Sequence, residues 1–366
     1  MPDQISRLLV LSPNWLGDAA MSLPALADVR RHFPDAAVVV AARPGLASLF
    51  ESVPGVDRVV SLADGGRAFN RSTVDVGTLK EGHHDLAILF PNSFYTAWIV
   101  RQAGIRERWG YHADFRRALL TRAVRRPTAI IHQGAYYQHL VCELGVPTGP
   151  LTPHVTVCER DRQAGSTLLT REGWAPSRPL VGLAPGAAYG FAKQWPADRF
   201  GALARLLAEQ GIWSVLIGRP ADRDVGQQVI AAFERSSTSK LTERLAAGSR
   251  LPAGRILNLI GRTDVRQLMG LMTHCATFVA NDSGAAHLAA AVGLPVVTIF
   301  GPTDERISAP LPGQTFRGSH AILSHPVFCR PCMLRECPID HRCMTRIDPS
   351  RVFDAVLQMR TLPFKQ

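Results

Sequence analysis

The amino-acid sequence predicts an α/β fold with two doubly wound, Rossmann-like domains. Its 366 residues are more than one ordinary hydrophobic core holds, so two domains are expected. Short apolar runs alternate with helical stretches from Arg7 onward, and the same alternation starts again at Pro179. Because strands that alternate with helices pair in parallel, each half should contain one parallel sheet.

Four strands are predicted in the first half, and polar turns follow the first and the fourth. The first strand leads through Asn14 and Gly17 into a long helix, and the fourth runs into Asn92 and Ser93. We assign residues 1–175 to the first domain. The predicted strands are 7–11, 38–42, 57–62 and 85–89.

The second half repeats this order, and we assign residues 176–348 to a second domain that includes a Cys-rich loop at 329–343. A polar stretch at 236–250 predicts an insertion. Residues 349–366 predict a C-terminal helix that packs back toward the first domain. The other predicted elements are strands 180–184, 214–218, 256–259 and 296–300 and helices 196–210 and 264–273.

Composition narrows the class of protein. A hydrophobic fraction of 46% is typical of a globular chain. No apolar run reaches the ~20 residues that span a bilayer. The first residues also lack the basic region and long apolar region of a signal peptide. The sequence therefore predicts a cytoplasmic protein.

The net charge of +11 is concentrated in one segment of the chain. Residues 101–126 hold eight arginines against Glu107 and Asp114. Such a segment suits nucleic acid, an anionic membrane surface, or a phosphorylated and carboxylated acceptor, or it is a solvated surface. The chain has no helix-turn-helix, RRM or KH signature, which argues against nucleic acid.

The chain from 279 to 303 has the pattern of a phosphate-binding βαβ unit. A short apolar strand runs into a polar turn and a helix of small residues, and a second strand ends in another sharp turn. The first amides of a helix have no intrahelical partner and lie at the positive end of its dipole, so a phosphate can bind there. Capping and core packing are the alternative roles of these polar side chains. The predicted phosphate-binding residues are Asn281, Asp282, Ser283, Gly284 and His287.

A glycine-containing loop follows the strand predicted at 180–184 and carries one lysine, Lys193. The amides of Gly186 and Ala187 and the lysine ammonium can approach a diphosphate there. The loop is not a Walker A motif, because no Ser or Thr follows the lysine. Asp222 follows the next strand, where doubly wound folds place an acid on a ribose hydroxyl, although an N-cap role fits equally well.

Asp18 directly follows Gly17 at the end of the first strand, where open α/β sheets bind ligands. A carboxylate at this edge can accept a proton from a substrate hydroxyl as a general base. The first turn of a helix is also a common place for a structural acid. Position alone leaves both roles open.

Four of the seven cysteines are close together near the C-terminus. Their CxxCxxxxCxxxxxC spacing allows a zinc or iron–sulfur centre, or simply orders a loop. The spacing is not that of a zinc ribbon. These cysteines are Cys329, Cys332, Cys337 and Cys343.

In order and spacing, these motifs resemble those of the lipopolysaccharide heptosyltransferases, the ADP-heptose glycosyltransferases of family 9. The resemblance covers almost the whole chain, and its PNSF and GYxxDxR elements are more similar to type II than to type I enzymes. The matching segments are PNWLGDAAMSLPAL, LFPNSFYTAWIVRQAGIRERWGYHADFRRALLT, APGAAYGFAKQWP and NDSGAAHLAAAVGLPVVTIFGPTDE.

The resemblance implies a GT-B fold, in which two Rossmann-like domains face a central cleft. It implies an inverting, metal-independent transfer of L-glycero-D-manno-heptose from ADP-heptose to the first heptose of the Kdo-lipid A inner core. ADP-heptose is then the donor substrate, and no cofactor is required. The implied location is the cytoplasmic face of the inner membrane, as a peripheral protein that does not bind nucleic acid.

The resemblance also implies roles for particular residues. Asp18 would be the general base, and Lys193 would offset the charge that develops on the departing ADP. The arginines of 101–126 would meet the phosphates and Kdo carboxylates of an anionic glycolipid, heptosyl-Kdo2-lipid A. The acceptor-binding residues would be Asn14, Gly17, Asn92, Ser93, Tyr111 and Arg116.

Three alternatives share this fold. A heptosyltransferase of type I or III would use a different acceptor position. A GT-B-like sugar-nucleotide epimerase would consume the nucleotide sugar without an acceptor. A non-catalytic nucleotide-sugar-binding protein would bind ADP tightly without turnover.

Overall fold

The computed structural model describes residues 5–64, 68–235, 254–313 and 320–360. The insertion predicted at 236–250 lies outside the described residues. The chain forms two compact units, Met1–Thr156 and Val157–Gln366.

The first unit contains a parallel sheet with connecting helices. Its six described strands follow the order β3-β2-β1-β4-β5-β6. The strands are β1 (Arg7–Leu11), β2 (Ala37–Ala42), β3 (Arg58–Ser61), β4 (Leu86–Leu89), β5 (Glu107–Tyr111) and β6 (Arg122–Val124). The helices are α1 (Leu16–His32), α2 (Pro44–Glu51), α3 (Ala68–Glu81), α4 (Phe94–Gln102) and α5 (Gln133–Glu143).

The second unit contains another parallel sheet of six described strands, in the order β12-β11-β10-β7-β8-β9. The strands are β7 (Leu180–Ala184), β8 (Trp213–Leu216), β9 (Ile256–Asn258), β10 (Thr277–Asn281), β11 (Val296–Phe300) and β12 (Ala321–Ser324). The helices are α6 (Glu159–Arg171), α7 (Ala197–Glu209), α8 (Arg223–Arg235), α9 (Val265–Met272), α10 (Gly284–Val292), α11 (Glu305–Ser308), α12 (Arg342–Thr345) and α13 (Pro349–Arg360).

Both sheets have the same doubly wound topology. In each sheet the first strand lies beside the fourth, β1 beside β4 and β7 beside β10, and chain order runs outward in both directions. These central strands are mostly apolar and, apart from the exposed Arg7 that begins β1, buried, as the sheets of α/β proteins require. Ligands bind at the carboxyl ends of the strands beside this switch point. The fold class predicted from the sequence is confirmed.

Two strands of the first sheet lie within the Arg-rich segment, where the sequence shows no strand pattern. β5 carries Glu107 and Arg108, and β6 is a three-residue strand that begins at Arg122. Pairing with β4 extends the sheet through β5 to β6, and Arg122 packs its guanidinium over the Trp109 ring. Tertiary pairing therefore overrides weak local preference here.

Helices α1 and α5 are tied together by a buried polar contact. The Gln138 amide donates to Asp28 Oδ2 at 2.8 Å, and Gly149 N–H donates to Asp28 Oδ1 at 3.1 Å. Asp28 is fully buried, so its hydrogen bonds offset the cost of removing a carboxylate from water. The contact fixes the helix that carries Asp18 against α5.

The C-terminal helix α13 packs on the second unit. Its buried Val352, Ala355 and Val356 join the hydrophobic core of the second unit, and the helix lies against α7, β10 and β11. The packing of residues 349–366 toward the first domain stays a prediction. The two units divide between Thr156 and Val157, before α6, because α6 packs on α9, whereas the predicted boundary is residue 175.

The contact between α6 and α9 depends on two glycines. A Cβ added at Gly165 would lie 2.4 Å from the carbonyl carbon of Gly270, and one at Gly270 would lie 2.0 Å from the Asp161 carbonyl oxygen. Real Cβ atoms do not approach so closely, so the two helix backbones must separate if either glycine gains a side chain.

We expect Gly165→Ala to lower the free energy of unfolding by about 1–3 kcal/mol, because the added methyl overpacks the α6–α9 contact. Gly77→Ala is the matched control, since this helical glycine has open space around its Cβ position. The control should gain up to about 1 kcal/mol of helix propensity. Urea denaturation of both variants measures the difference, and equal midpoints would contradict the packing argument.

Candidate active site

In the second unit, three loops meet at the carboxyl ends of β7, β10 and β11. Lys193, beyond β7, places its Nζ 2.6 Å from Oδ2 of Asp282, which directly follows β10. The hydroxyl of Thr303, beyond β11, donates to the same oxygen at 2.7 Å. Asp282 is buried, so the ion pair is shielded from solvent. The structure therefore brings Lys193 and the polar turn together.

Asn281 holds the glycine-containing loop in place. Its amide donates to the Pro185 carbonyl at 2.7 Å, and its Oδ1 accepts from Trp195 N–H at 2.9 Å. The side chain is fully buried. Asn281 therefore positions this loop, and a direct contact of its side chain with a phosphate stays a prediction.

The N-terminus of α10 lies at this edge of the sheet. Ser283 is the N-cap residue, with extended backbone and no capping hydrogen bond from its side chain. Its hydroxyl oxygen is buried without a hydrogen-bond partner among the described residues. Gly284 begins the helix, and His287 is buried one turn further on. An unpaired hydroxyl beside the first amides of a helix is a suitable donor set for a phosphate.

Gly186 and Asp222 pack against each other at the same edge. A Cβ at Gly186 would lie 2.4 Å from Asp222 Cγ, so this position requires glycine. Asp222 accepts the Arg219 N–H at 2.8 Å and pairs with its guanidinium at 3.2 Å. Asp222 therefore occupies the third position of a capping box whose N-cap residue is Arg219, rather than the N-cap position itself, and the ribose role stays a prediction. Ala187, next in the loop, is buried.

The Cys-rich segment contacts the loops that follow β7 and β11. Met333 N–H donates to the Pro302 carbonyl at 2.9 Å, and Tyr189 OH donates to the Met333 carbonyl at 2.6 Å. Arg330 donates to the Thr303 carbonyl at 3.1 Å. This arrangement matches the loop-ordering alternative. Burial, followed by the neighbouring thiols, raises the pKa of Cys343 to about 11.

All four clustered cysteines, Cys329, Cys332, Cys337 and Cys343, are free thiols. In the parts of the chain that the structure describes, no group of three or more His, Cys, Asp or Glu side chains is arranged to hold a metal ion. The geometry therefore provides no metal-ligand set at these thiols.

In the first unit, Asp18 lies in the first turn of α1, directly beyond β1, and is half-buried. The Tyr137 hydroxyl donates to Asp18 Oδ1 at 3.3 Å. Burial, followed by the Asp18 charge, holds the pKa of Tyr137 well above its usual value. The hydroxyl therefore stays protonated and orients the carboxylate.

The neighbouring tyrosine reaches a second predicted residue. The Asn92 amide donates to the Tyr136 hydroxyl at 2.9 Å, and Ser93 caps α4 by accepting from Thr96 N–H at 3.4 Å. Consecutive tyrosines on α5 thus contact residues beyond both β1 and β4, the strands at the switch point. Tyr136 and Tyr137 were not among the residues predicted from the sequence. The adjacent tyrosines are visible in the sequence, but no local pattern connects them to Asp18. Asn14 is exposed and Gly17 half-buried in the turn before Asp18.

Tyr111 and Arg116 do not face solvent, although the sequence resemblance groups them with the acceptor-binding residues. Tyr111 OH donates to the Tyr136 carbonyl at 2.7 Å. The Arg116 guanidinium donates to the carbonyls of Tyr111, at 3.0 Å, and Pro91. Both side chains are fully buried. Arg116 holds the backbone before Asn92, and Tyr111 binds the backbone of α5, so a direct role of either side chain in acceptor binding stays a prediction.

None of the described helices is both long enough and apolar enough to cross a membrane.

The fold and these two edges resemble proteins of known family. The family model described as glycosyltransferase family 9 (heptosyltransferase) matches residues 76–341. Lipooligosaccharide heptosyltransferase 2 of Haemophilus influenzae is 30% identical, over 83% of this chain and 86% of its own. Lipopolysaccharide heptosyltransferase 2 of Salmonella typhimurium is 29% identical, over 83% and 85%.

Among solved structures, the ADP-heptose lps heptosyltransferase II of E. coli has a TM-score of 0.78 at 25% identity, covering 97% of this chain and 98% of that one. A family 9 glycosyltransferase from Veillonella parvula has a TM-score of 0.79 at 20% identity, covering 98% of each chain, and supports the fold alone. The two doubly wound units therefore define the class, a glycosyltransferase of GT-B fold. The chain belongs to glycosyltransferase family 9, the heptosyltransferases.

We expect Arg116→Ala to lower the free energy of unfolding by about 3 kcal/mol, because the buried carbonyls of Pro91 and Tyr111 lose their donor. The adjacent Arg117 is exposed and provides the control. Arg117→Ala should change the free energy of unfolding by no more than about 0.5 kcal/mol. Chemical denaturation compares the two, and a small loss at position 116 would mean that these hydrogen bonds do not hold the loop.

Proposed function

We propose that this protein transfers L-glycero-D-manno-heptose from ADP-heptose to the first heptose of the Kdo-lipid A inner core, with inversion and without a metal ion. The observation that carries the proposal is the contact of Lys193 with the turn that begins α10. Family membership and the heptosyltransferase 2 relatives support the donor and the acceptor.

The second unit offers the chemistry that a departing diphosphate needs. Bond cleavage leaves negative charge on ADP, and the Lys193 ammonium with the first amides of α10 stabilises that charge. The buried Ser283 hydroxyl supplies a further donor. A carboxylate does not bind a phosphate, so Asp282 acts by holding Lys193 and Thr303.

The identity of the residue at 193 supports this role. The sequence contains 41 lysines and arginines, of which four are lysines, at positions 80, 193, 240 and 365. A compact ammonium with three donors can pair with Asp282 and still meet a phosphate, whereas the larger planar guanidinium fits a narrow site less well. Lys193 is only 13% exposed.

In the first unit, Asp18 is the proposed general base. Its carboxylate accepts the proton of the acceptor hydroxyl as that oxygen attacks the anomeric carbon, and the carbon–oxygen bond to ADP breaks on the opposite face. Tyr137 keeps the carboxylate oriented. Asn14, Gly17, Asn92 and Ser93 lie on the same sheet edge and are proposed to bind the acceptor sugar.

The proposed partners are ADP-heptose and heptosyl-Kdo2-lipid A, an anionic glycolipid. The proposed location is the cytoplasmic face of the inner membrane, as a peripheral protein. Charge supports this acceptor, because Arg101, Arg106, Arg117, Arg122, Arg125 and Arg126 are exposed in the first unit.

Incubation with ADP-heptose and the mono-heptosylated acceptor should give a product one heptose heavier by mass spectrometry. Asp18→Asn should lower the transfer rate by at least ~100-fold, because the amide cannot accept the proton, and should leave ADP affinity unchanged. The exposed Asp35→Asn is the control.

Transfer only to an acceptor without heptose, or to a longer core, would indicate a type I or type III enzyme. Acceptor-independent consumption of the donor would indicate an epimerase, and tight ADP binding without any turnover a binding protein. Full activity of Asp18→Asn would refute its role as the base.

Lys193→Ala should weaken ADP binding by about tenfold and slow transfer by about 100-fold, since the ammonium contributes most when charge develops on the leaving group. Titration calorimetry with ADP and initial-rate measurements separate the two effects. Lys80→Ala, at an exposed position on α3, controls for loss of a lysine charge. Unchanged ADP affinity together with an unchanged rate would remove Lys193 from the site.

A further inference from the structure

The loop after β5 exposes an aromatic ring and buries the charged side chain next to it. Phe115 is 100% exposed, and Arg116 is 0% exposed. Exposing a phenyl ring forgoes the free energy of its burial, and burying a guanidinium costs desolvation. The chain therefore holds Phe115 in water against the preference of both residues.

The backbone of this loop is also unusual. Asp114 and Phe115 have φ values of +46° and +57°, in the left-handed region that bulky residues rarely adopt. Arg116 anchors the next position, where its Nε donates to the Tyr111 carbonyl at 3.0 Å and its Nη1 to Thr96 Oγ1 at 3.2 Å. Strain that is maintained by a buried anchor is typical of functional sites. The outward direction of Phe115 is thus built into the fold.

Other exposed apolar side chains lie on the same edge of the first sheet. β1, β4, β5 and β6 are parallel neighbours, so the loops after them leave one edge. One exposed large apolar residue follows each strand: Trp15 after β1, Phe94 at the start of α4 after β4, Phe115 after β5 and Ile130 after β6, the last 77% exposed. In the described part of this unit, Val74 on α3 is the other one. Such a concentration of apolar side chains marks an interaction surface.

Positive charge accompanies these side chains. Arg117 adjoins Phe115 across a shallow surface pocket, and Arg125 and Arg126 begin the loop that carries Ile130. All three arginines are exposed. Aromatic rings suit the headgroup level of a bilayer, and guanidinium groups pair with lipid phosphates. An acidic protein or a nucleic acid would use the arginines but would not account for the exposed apolar side chains of Phe115 and Ile130.

We propose that this docking edge, formed by Phe115, Ile130, Arg117, Arg125 and Arg126, binds the surface of an anionic lipid bilayer. The proposal rests on the proposed function, because a lipid-linked acceptor lies in such a bilayer. Phe115 and Ile130 enter the boundary between headgroups and acyl chains, and the arginines contact phosphates. The acceptor sugar then reaches the edge that carries Asp18 without leaving the membrane.

Sedimentation of the full chain with vesicles tests this surface. Vesicles of phosphatidylcholine mixed with phosphatidylglycerol should bind the protein, and pure phosphatidylcholine vesicles should bind at least about tenfold more weakly. Phe115→Ser with Ile130→Ser should lower affinity for the anionic vesicles by about tenfold. Arg125→Ser with Arg126→Ser should cause a similar loss and reduce the salt dependence of binding. Phe328→Ser, an exposed ring of the second unit, should change nothing.

A second measurement separates membrane binding from catalysis. The Phe115→Ser and Ile130→Ser double variant should retain the wild-type rate on a de-acylated, soluble acceptor and lose rate on the acceptor embedded in vesicles. If the wild type binds anionic vesicles through Phe115 but transfers no heptose, the docking edge stands and the proposed function fails.

Several results would overturn the proposal. They are equal binding of the wild type to neutral and anionic vesicles, no binding to either, and undiminished binding by the Phe115 and Ile130 double variant. Tight binding of RNA or of an acidic protein that depends on Arg125 and Arg126, without vesicle binding, would assign the arginines to that partner instead.

Discussion

The ion pair between Lys193 and Asp282 spans the switch point of the second sheet, where β7 and β10 are neighbours. The loops that follow these two strands lead to opposite sides of the sheet, and the ion pair at 2.6 Å connects them. Thr303 adds the loop beyond β11. Because Asp282 is buried, removing either partner leaves an uncompensated charge, so the geometry of the whole edge depends on this pair. The Cys-rich segment also forms hydrogen bonds with the loops beyond β7 and β11.

In the first unit, a pair of tyrosines connects the residues on the two sides of the switch point. Its switch point lies between β1 and β4, and consecutive tyrosines on α5 contact Asp18 beyond one strand and Asn92 beyond the other. The Tyr137 hydroxyl orients the Asp18 carboxylate, which is proposed to accept the proton of the acceptor hydroxyl. The two edges therefore differ in the chemistry that each is proposed to perform.

Arginine has two distinct uses in the first unit. Arg116 is buried, where burial lowers its pKa to about 10 and leaves it charged at neutral pH, and it binds backbone carbonyls. Arg117, one residue further on, is exposed. Both residues contribute equally to the net charge of the segment, so that net charge overstates the positive charge that a binding partner can contact. Burial separates structural arginines from those that face an anionic surface.

The sequence by itself determined the alternation of strands and helices, and every strand predicted in the first half is present within one residue at each end. It also located Asp18, Lys193 and the Asn281–Gly284 turn, because strand ends and glycine-containing turns are local signals. Tertiary structure alone decided the contact of Tyr137 with Asp18, the burial of Tyr111 and Arg116, and the packing of α13. These depend on residues far apart in the chain, and the free energy of burial is determined by neighbours that no local pattern specifies.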